Sequence, residues 1–350
     1  METLDQLIQQ LDVGKAKPRD AASAQLRARL ATETLTPAQA QALADFVARR
    51  LGRDNMRYTW RDAVELLVAA GPALAAPVIP TLRAALAAVE DPWATINVLG
   101  HQKIVAARAL IALTPETAAA DLAPWLGDRE LLLGKVRLAS EPTTLDHLVA
   151  LGSRAAAVLP ALRRRVACEG DAYAKDREAA AAALAMLVPQ VTDEPPFDPL
   201  DPRIAAEIAR LGGVLPPYEA ASVTPIAGVP ESIRRLADVR WPARQYENKA
   251  DAKGRVKHIW VWMLQWLGVH VDAAAHNLGW ERAPRSATLA HADGGNYTLH
   301  VIIDHPYSDP LNPIVFKTDH DPGPGERVAN GMTLLEFLRT LKPAKKRPTK

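Results

Sequence analysis

The sequence predicts a multidomain protein: an all-α helical-repeat solenoid followed by a smaller α+β domain. Three observations lead there. From residue 21 to about residue 187 the chain is rich in Ala, Leu, Val and Arg, with Gly and Pro as punctuation, and the stops recur with a drifting period. Five prolines then fall between Val188 and Arg203, mixed with four acidic residues. Beyond them the apolar period shortens to two, most clearly between Tyr297 and Asp304. With 350 residues and a 48% hydrophobic share, the chain carries enough apolar material for two cores.

The first domain covers residues 1–190. Residues 61–70 read as a helix stopped by Gly71-Pro72, and a second helix follows through Val78, Ile79, Leu82 and Leu86. Residues 105–113 stop at Thr114-Pro115, with Leu122, Trp125 and Leu126 next. Residues 145–151 stop at Gly152, followed by Val158, Leu159, Leu162 and Val166, and residues 177–187 end near Pro189. The stops at Gly71, Thr114, Gly152 and Pro189 lie 43, 38 and 37 residues apart, and a proline recurs in or near the second helix at Pro80, Pro124 and Pro160. Helix type and spacing, inside or just below the period of about 40–47 residues of HEAT and armadillo arrays, together resemble HEAT-like repeats. An irregular helical bundle is the alternative. Stacked helix pairs bury for one another the Leu and Val stripe that a single pair leaves exposed. The long surface so formed binds proteins or peptides more often than it catalyses.

Residues 191–202 form the linker. Proline at that density denies both helix and central strand, which predicts a stiff, extended connection. The second domain covers residues 203–342 and opens with an amphipathic helix, Ile204 to Leu211, stopped by Gly212-Gly213. A short helix over 230–236 has Pro at a tolerated first-turn position. Residues 258–271, rich in Trp and β-branched side chains, predict a buried central strand or two strands turning near Gly268. Asp293-Gly-Gly-Asn296 suits a tight reversal between two strands. Tyr297, Leu299, Val301 and Ile303 then alternate with Thr298, His300, Ile302 and Asp304, and residues 314–316 read as a short third strand. Met332, Leu335, Leu338 and Leu341, widened by Phe337, predict a helix lying on that sheet. Residues 343–350 are a basic tail.

These second-domain residues resemble a family. A helix carrying Glu207, the Leu215-Pro-Pro-Tyr218 element, strands, the Gly294-Gly-Asn296 hairpin, a Pro313-Ile-Val-Phe316 strand leading to Asp319-His-Asp321, and the closing Leu334-Leu-Glu-Phe-Leu338 helix look like the SUKH superfamily over about residues 203–342. The resemblance implies a non-enzymatic binding fold. Bacterial members resemble immunity proteins that neutralise toxins by direct binding, and eukaryotic members resemble regulators of cell-wall synthesis. The expected function is therefore protein binding, as an immunity protein for a bacterial toxin; a regulator or scaffold is the alternative within that class.

From a different class comes a metal-dependent hydrolase. Seven of nine histidines fall between His258 and His320, with Asp293, Asp304, Asp309, Asp319 and Asp321 in the same region. Their spacing opposes it. His300 and His305 fall on opposite faces of a persisting strand, and no His-Glu-x-x-His helix occurs, so no metal, no cofactor and no catalytic residue is expected. Asp293-Gly-Gly-Asn296 lacks the following helix and Gly-Lys-Ser/Thr ending of a phosphate loop.

The formal charge of +2, from 42 basic and 40 acidic residues, does not advertise a nucleic-acid partner. The lone Cys168 excludes an intramolecular disulfide. An acidic start and the lack of an apolar run near ~18 residues predict a cytoplasmic protein without a membrane partner. Arg163-Arg164-Arg165 point around a helix in different directions, which predicts a solvated face. The stretch with most promise as an interface holds Arg240, Trp241, Arg244, Tyr246, Lys249, Lys253, Arg255 and Lys257, diluted by Glu247 and Asp251. In a loop, Arg240, Trp241, Arg244, Tyr246 and Lys249 are the candidate partner contacts, since Arg, Trp and Tyr are the usual anchors. A plain polar loop with one packed Trp is the alternative.

Overall fold

The structure is a computed structural model and describes residues 2–11, 16–51, 57–72, 76–87, 98–134, 142–168, 173–219, 229–242, 246–248, 261–264, 272–273, 285–292, 297–303, 308–319 and 333–343. Two compact units divide the chain: Met1–Leu159 with Ala183–Pro195, and Pro160–Ala182 with Pro196–Lys350. The fold is helix-rich, and no helix among the described residues is long and apolar enough to cross a membrane.

In the first unit, helices run from Leu4–Leu11 through Ala16–Leu30, Pro37–Leu51, Arg57–Ala70, Ile79–Ala87, Val98–Leu113, Ala118–Leu122 and Arg129–Leu133 to Thr144–Val149 and the 3₁₀ segment Gly152–Val158. Alternate helices pack side by side: Ala16–Leu30 on Arg57–Ala70, that helix on Val98–Leu113, and that one on Thr144–Val149. Ala118–Leu122 packs likewise on Gly152–Val158. Leu26, Leu67, Leu110 and Leu148, one from each of the first-named four helices, are fully buried. Each buried leucine contributes about 1.5–3 kcal/mol through the apolar surface it removes from water.

The expected stops are structural. Helix Arg57–Ala70 ends at Gly71 with φ +91°, and the Gly71 N–H donates to Leu67 and Val68 carbonyls at 3.2 Å. Gly152, another of the expected stops, has φ +60°. After each the chain enters a helix whose second residue is proline, Pro80 in Ile79–Ala87 and Pro160 in Leu159–Val166. Three ion pairs share one sequence separation: Arg27–Glu65, Arg83–Asp121 and Arg154–Glu116 each span 38 residues.

Among the described residues the second unit is built on an antiparallel sheet of seven strands: β1 (Tyr246–Asn248), β2 (Val261–Leu264), β3 (Asp272–Ala273), β4 (Arg285–Ala292), β5 (Tyr297–Ile302), β6 (Val315–Asp319) and β7 (Leu341–Pro343). Their order is β6-β5-β4-β2-β1-β7, with β3 also paired to β4. β4 and β5 form the expected hairpin, Ala292 opposite Tyr297, with a register shift between Thr288 and Ala290. β2, within the Trp-rich segment 258–271, and β3, just beyond it, both pair with β4; the rest of that segment lies outside the described residues. Helix Leu334–Thr340 packs on helix Pro202–Arg210, and Arg210 donates to the carbonyls of Leu338 (2.7 Å) and Leu341 (3.1 Å) at its partner's C-terminal end. Ile204, Ile208, Leu334, Leu335 and Leu338 from the helices meet Tyr246, Val301 and Val315 from the sheet, and Ile303 just after β5, in one core. Ile302 is buried as well, so this part of β5 is covered on both faces.

Two expectations about the boundary change. Residues 160–182 belong with the second unit, because Arg165, fully buried, pairs with Asp309 at 2.9 Å and Cys168 and Tyr173 pack on Leu311. Arg164 is buried too and donates to the Asp198 carbonyl at 3.0 Å, so two of the three consecutive arginines are internal rather than a solvated face. Residues 196–201 are likewise integral to the second unit: Leu200 lies in its core, and Asp201 caps helix Pro202–Arg210 by accepting from the Arg203 N–H at 2.8 Å.

Candidate partner-contact surface

Helix Pro202–Arg210 turns out through Gly212, φ +85°, into Gly213, where a side chain has no room. A Cβ there would stand 2.7 Å from Ile208 Cγ2 and 3.1 Å from the Trp241 ring. This close passage lets Val214 pair with Arg240, each N–H donating to the other's carbonyl at 2.9 Å. In such a doubly bonded antiparallel pair both side chains leave on the same face. Val214 is 62% exposed and Arg240 is exposed beside it. Trp241 is half-buried, its ring edge-on to Tyr246 with centroids 6.0 Å apart.

The five expected contact residues therefore separate. Arg240 is at the surface and Trp241 partly so. Tyr246 is not available to a partner: it is fully buried in the core of the second unit, and its hydroxyl donates to the Leu211 carbonyl at 2.9 Å. It begins strand β1, which pairs with β2 and β7, so the segment read as a loop contains a strand. Arg244 and Lys249 lie outside the described residues. Val214 was missed because nothing in the sequence distinguishes an exposed valine after Gly-Gly from a core one.

A second cluster escaped the sequence altogether. The Arg235 guanidinium, 2% exposed, donates to the Asp198 carboxylate at 3.0 Å and to Asp238 at 2.7 Å, and also to the Pro216 carbonyl. It lies 5.6 Å over the Tyr218 ring, and Phe197 meets that ring edge-on at 5.9 Å. Burial opposes the charge on Arg235, but the Asp198 and Asp238 carboxylates outweigh it and leave its pKa raised. Burial and a hydrogen bond with Glu231 push the Tyr218 phenol up to about 12. Burial likewise raises the Cys168 thiol to about 12, which leaves it protonated and unreactive near neutrality. Burial, with the positive charge of Arg108, lowers the pKa of His147.

Of the seven clustered histidines, His291 on β4 and His300 on β5 are described, and the other five fall outside. Among the described residues no group of three or more His, Cys, Asp or Glu is placed to hold a metal ion. No protein-family model matches the chain, and no curated protein matches it.

Proposed function

We propose that this chain is a protein-binding module, with HEAT-like repeats in its first unit and a SUKH-like second unit, and that it acts as an immunity protein neutralising a bacterial toxin by direct binding. The observation that carries the binding reading is the recurrence in the first unit: ion pairs at a constant separation of 38 residues join neighbouring helix pairs. Arrays of that kind expose extended surfaces suited to macromolecular partners. In the second unit the hairpin, third strand and closing helix keep the order of the SUKH resemblance. Val214 and Arg240 supply an apolar and a cationic contact on one face. Inhibition by such a protein is steric and electrostatic, and requires no group of its own to react.

The test is genetic and then physical. Deleting the gene in a strain carrying an adjacent toxin frame is expected to cause self-intoxication, and purified toxin is expected to co-elute with the chain. Survival of the deletion strain with the toxin expressed would overturn the immunity reading. A complex weakened roughly tenfold by Arg240→Glu would assign the Val214–Arg240 face to the interface; unchanged affinity would place the contact elsewhere.

A further inference from the structure

Residues 196–200 make no backbone–backbone hydrogen bond among the described residues, although the segment belongs to the second unit. Side chains hold it instead. Phe197 packs edge-on against Tyr218, and the Asp198 carboxylate takes the fork of Arg235 through Nε and Nη2 at 3.2 and 3.0 Å. Arg164 Nη1 donates to the Asp198 carbonyl at 3.0 Å. Prolines at 195, 196 and 199 confine the backbone to extended conformations, so little entropy is lost when the segment lies down. The receptor side is built: Arg235 is 2% exposed and Arg164 8% exposed, while the Asp198 side chain remains 38% exposed. A buried cation facing a partly solvated carboxylate on an extended segment is how a bound peptide is held.

We propose that Arg235, Arg164 and Tyr218 form a peptide-binding site, occupied in cis by Pro196-Phe197-Asp198, whose ligand class is an extended, proline-flanked aromatic–aspartate segment. The segment is a releasable strap. Leu200 and Asp201 stay fixed, as core residue and helix cap, when it lifts. A partner segment of the same chemistry competes for the vacated fork, because lifting the strap takes the carboxylate from Arg235 Nε and Nη2 and leaves Asp238 on Nη1, so a replacement carboxylate restores a charge-assisted pair. The site stands on the geometry of the second unit alone and is independent of toxin immunity.

The test uses the full chain with Phe197→Ser and Asp198→Ser, checked for a cooperative melt. The probe is a fluorescein-labelled peptide of residues 193–199, Asp-Glu-Pro-Pro-Phe-Asp-Pro, followed by anisotropy. The double variant is expected to bind saturably and at least roughly tenfold more tightly than the wild type, with a similar loss when the peptide's second Asp is replaced by Asn. A folded variant that binds no better than wild type, or that takes the Asn peptide equally well, overturns the proposal. Should the variant not melt cooperatively, amide exchange on the wild type decides. The Leu200 N–H donates to Asp198 Oδ1 at 2.9 Å and so reports the latch. Its exchange is expected through an opening faster than that of Ile208; exchange in step with Ile208 overturns the strap.

Discussion

At Gly213 and Gly71 the same residue type answers two different demands. Gly213 is required by space, since a Cβ would stand 2.7 Å from Ile208; Gly71 is required by its φ of +91°, with nothing within 4 Å. Gly213→Ala is expected to cost about 1–3 kcal/mol by overpacking. Gly71→Ala costs about 1–2 kcal/mol from backbone strain alone. Urea unfolding distinguishes them when each variant is paired with Ile208→Ala: the cavity relieves Gly213→Ala and leaves Gly71→Ala unchanged. Both glycines were legible as helix stops, but the closeness of Trp241 to one of them was not. Tyr246 shows the reverse failure. Surrounded in sequence by cations it reads as a contact residue, whereas burial in β1 is set by strands from distant parts of the chain.

The raised Cys168 and Tyr218 values give a signed pH effect. Above pH 9.0 an unfolded Cys168 loses a proton that the folded thiol keeps until about 12. Tyr218 behaves the same way from 10.0 to about 12. The unfolded chain then binds fewer protons, so stability falls as pH rises from 9 towards 12. Replacing Cys168 by Ser is expected to reduce the slope of the melting temperature from just below pH 9, where the unfolded thiol titrates ahead of the unfolded Tyr218 phenol, and to leave the Tyr218 contribution at higher pH. An unaltered slope would show that the thiol is not the group responsible.

Helix ends and ion pairs carry unequal weight among the elements. Helices Thr144–Val149 and Leu334–Thr340 both begin with a reciprocal capping box, Thr143 with Asp146 and Thr333 with Glu336. Thr333→Ala should cost about 0.5–2 kcal/mol, typically near 1. Arg83→Ala removes a pair whose arginine is 46% exposed, so an effect of about 0–1 kcal/mol is expected from thermal melts. A loss at Arg83 exceeding that at Thr333 would contradict this ranking. The helix pairs were legible because their period and their Gly and Pro punctuation are local. Strand pairing was legible only for the β4–β5 hairpin, where partners are close in sequence; β1 with β7 joins residues nearly a hundred positions apart, as with Asn248 and Leu341.

For the whole molecule, proline density marked a boundary that packing moved. Arg165 is 144 residues from its carboxylate partner, a separation no local pattern reports. A fragment of residues 160–350 is expected to melt cooperatively, while 196–350 leaves Asp309 and Leu311 without Arg165, Cys168 and Tyr173. The shorter fragment should be less stable by several kcal/mol, and Asp309→Ala in the full chain by about 3–5 kcal/mol through loss of its ion pair with the buried Arg165. Equal melting of the two fragments would show that residues 160–182 merely adjoin the unit.

The discontinuity of that second unit also orders events on the ribosome. Its early segment is synthesised well before the strands and the Asp309 loop exist, and at roughly 5–20 residues per second the interval is on the order of ten seconds. Through that time a nascent arginine destined for complete burial stays hydrated, and the unit closes only once residue 309 has been translated and delivers its counter-ion.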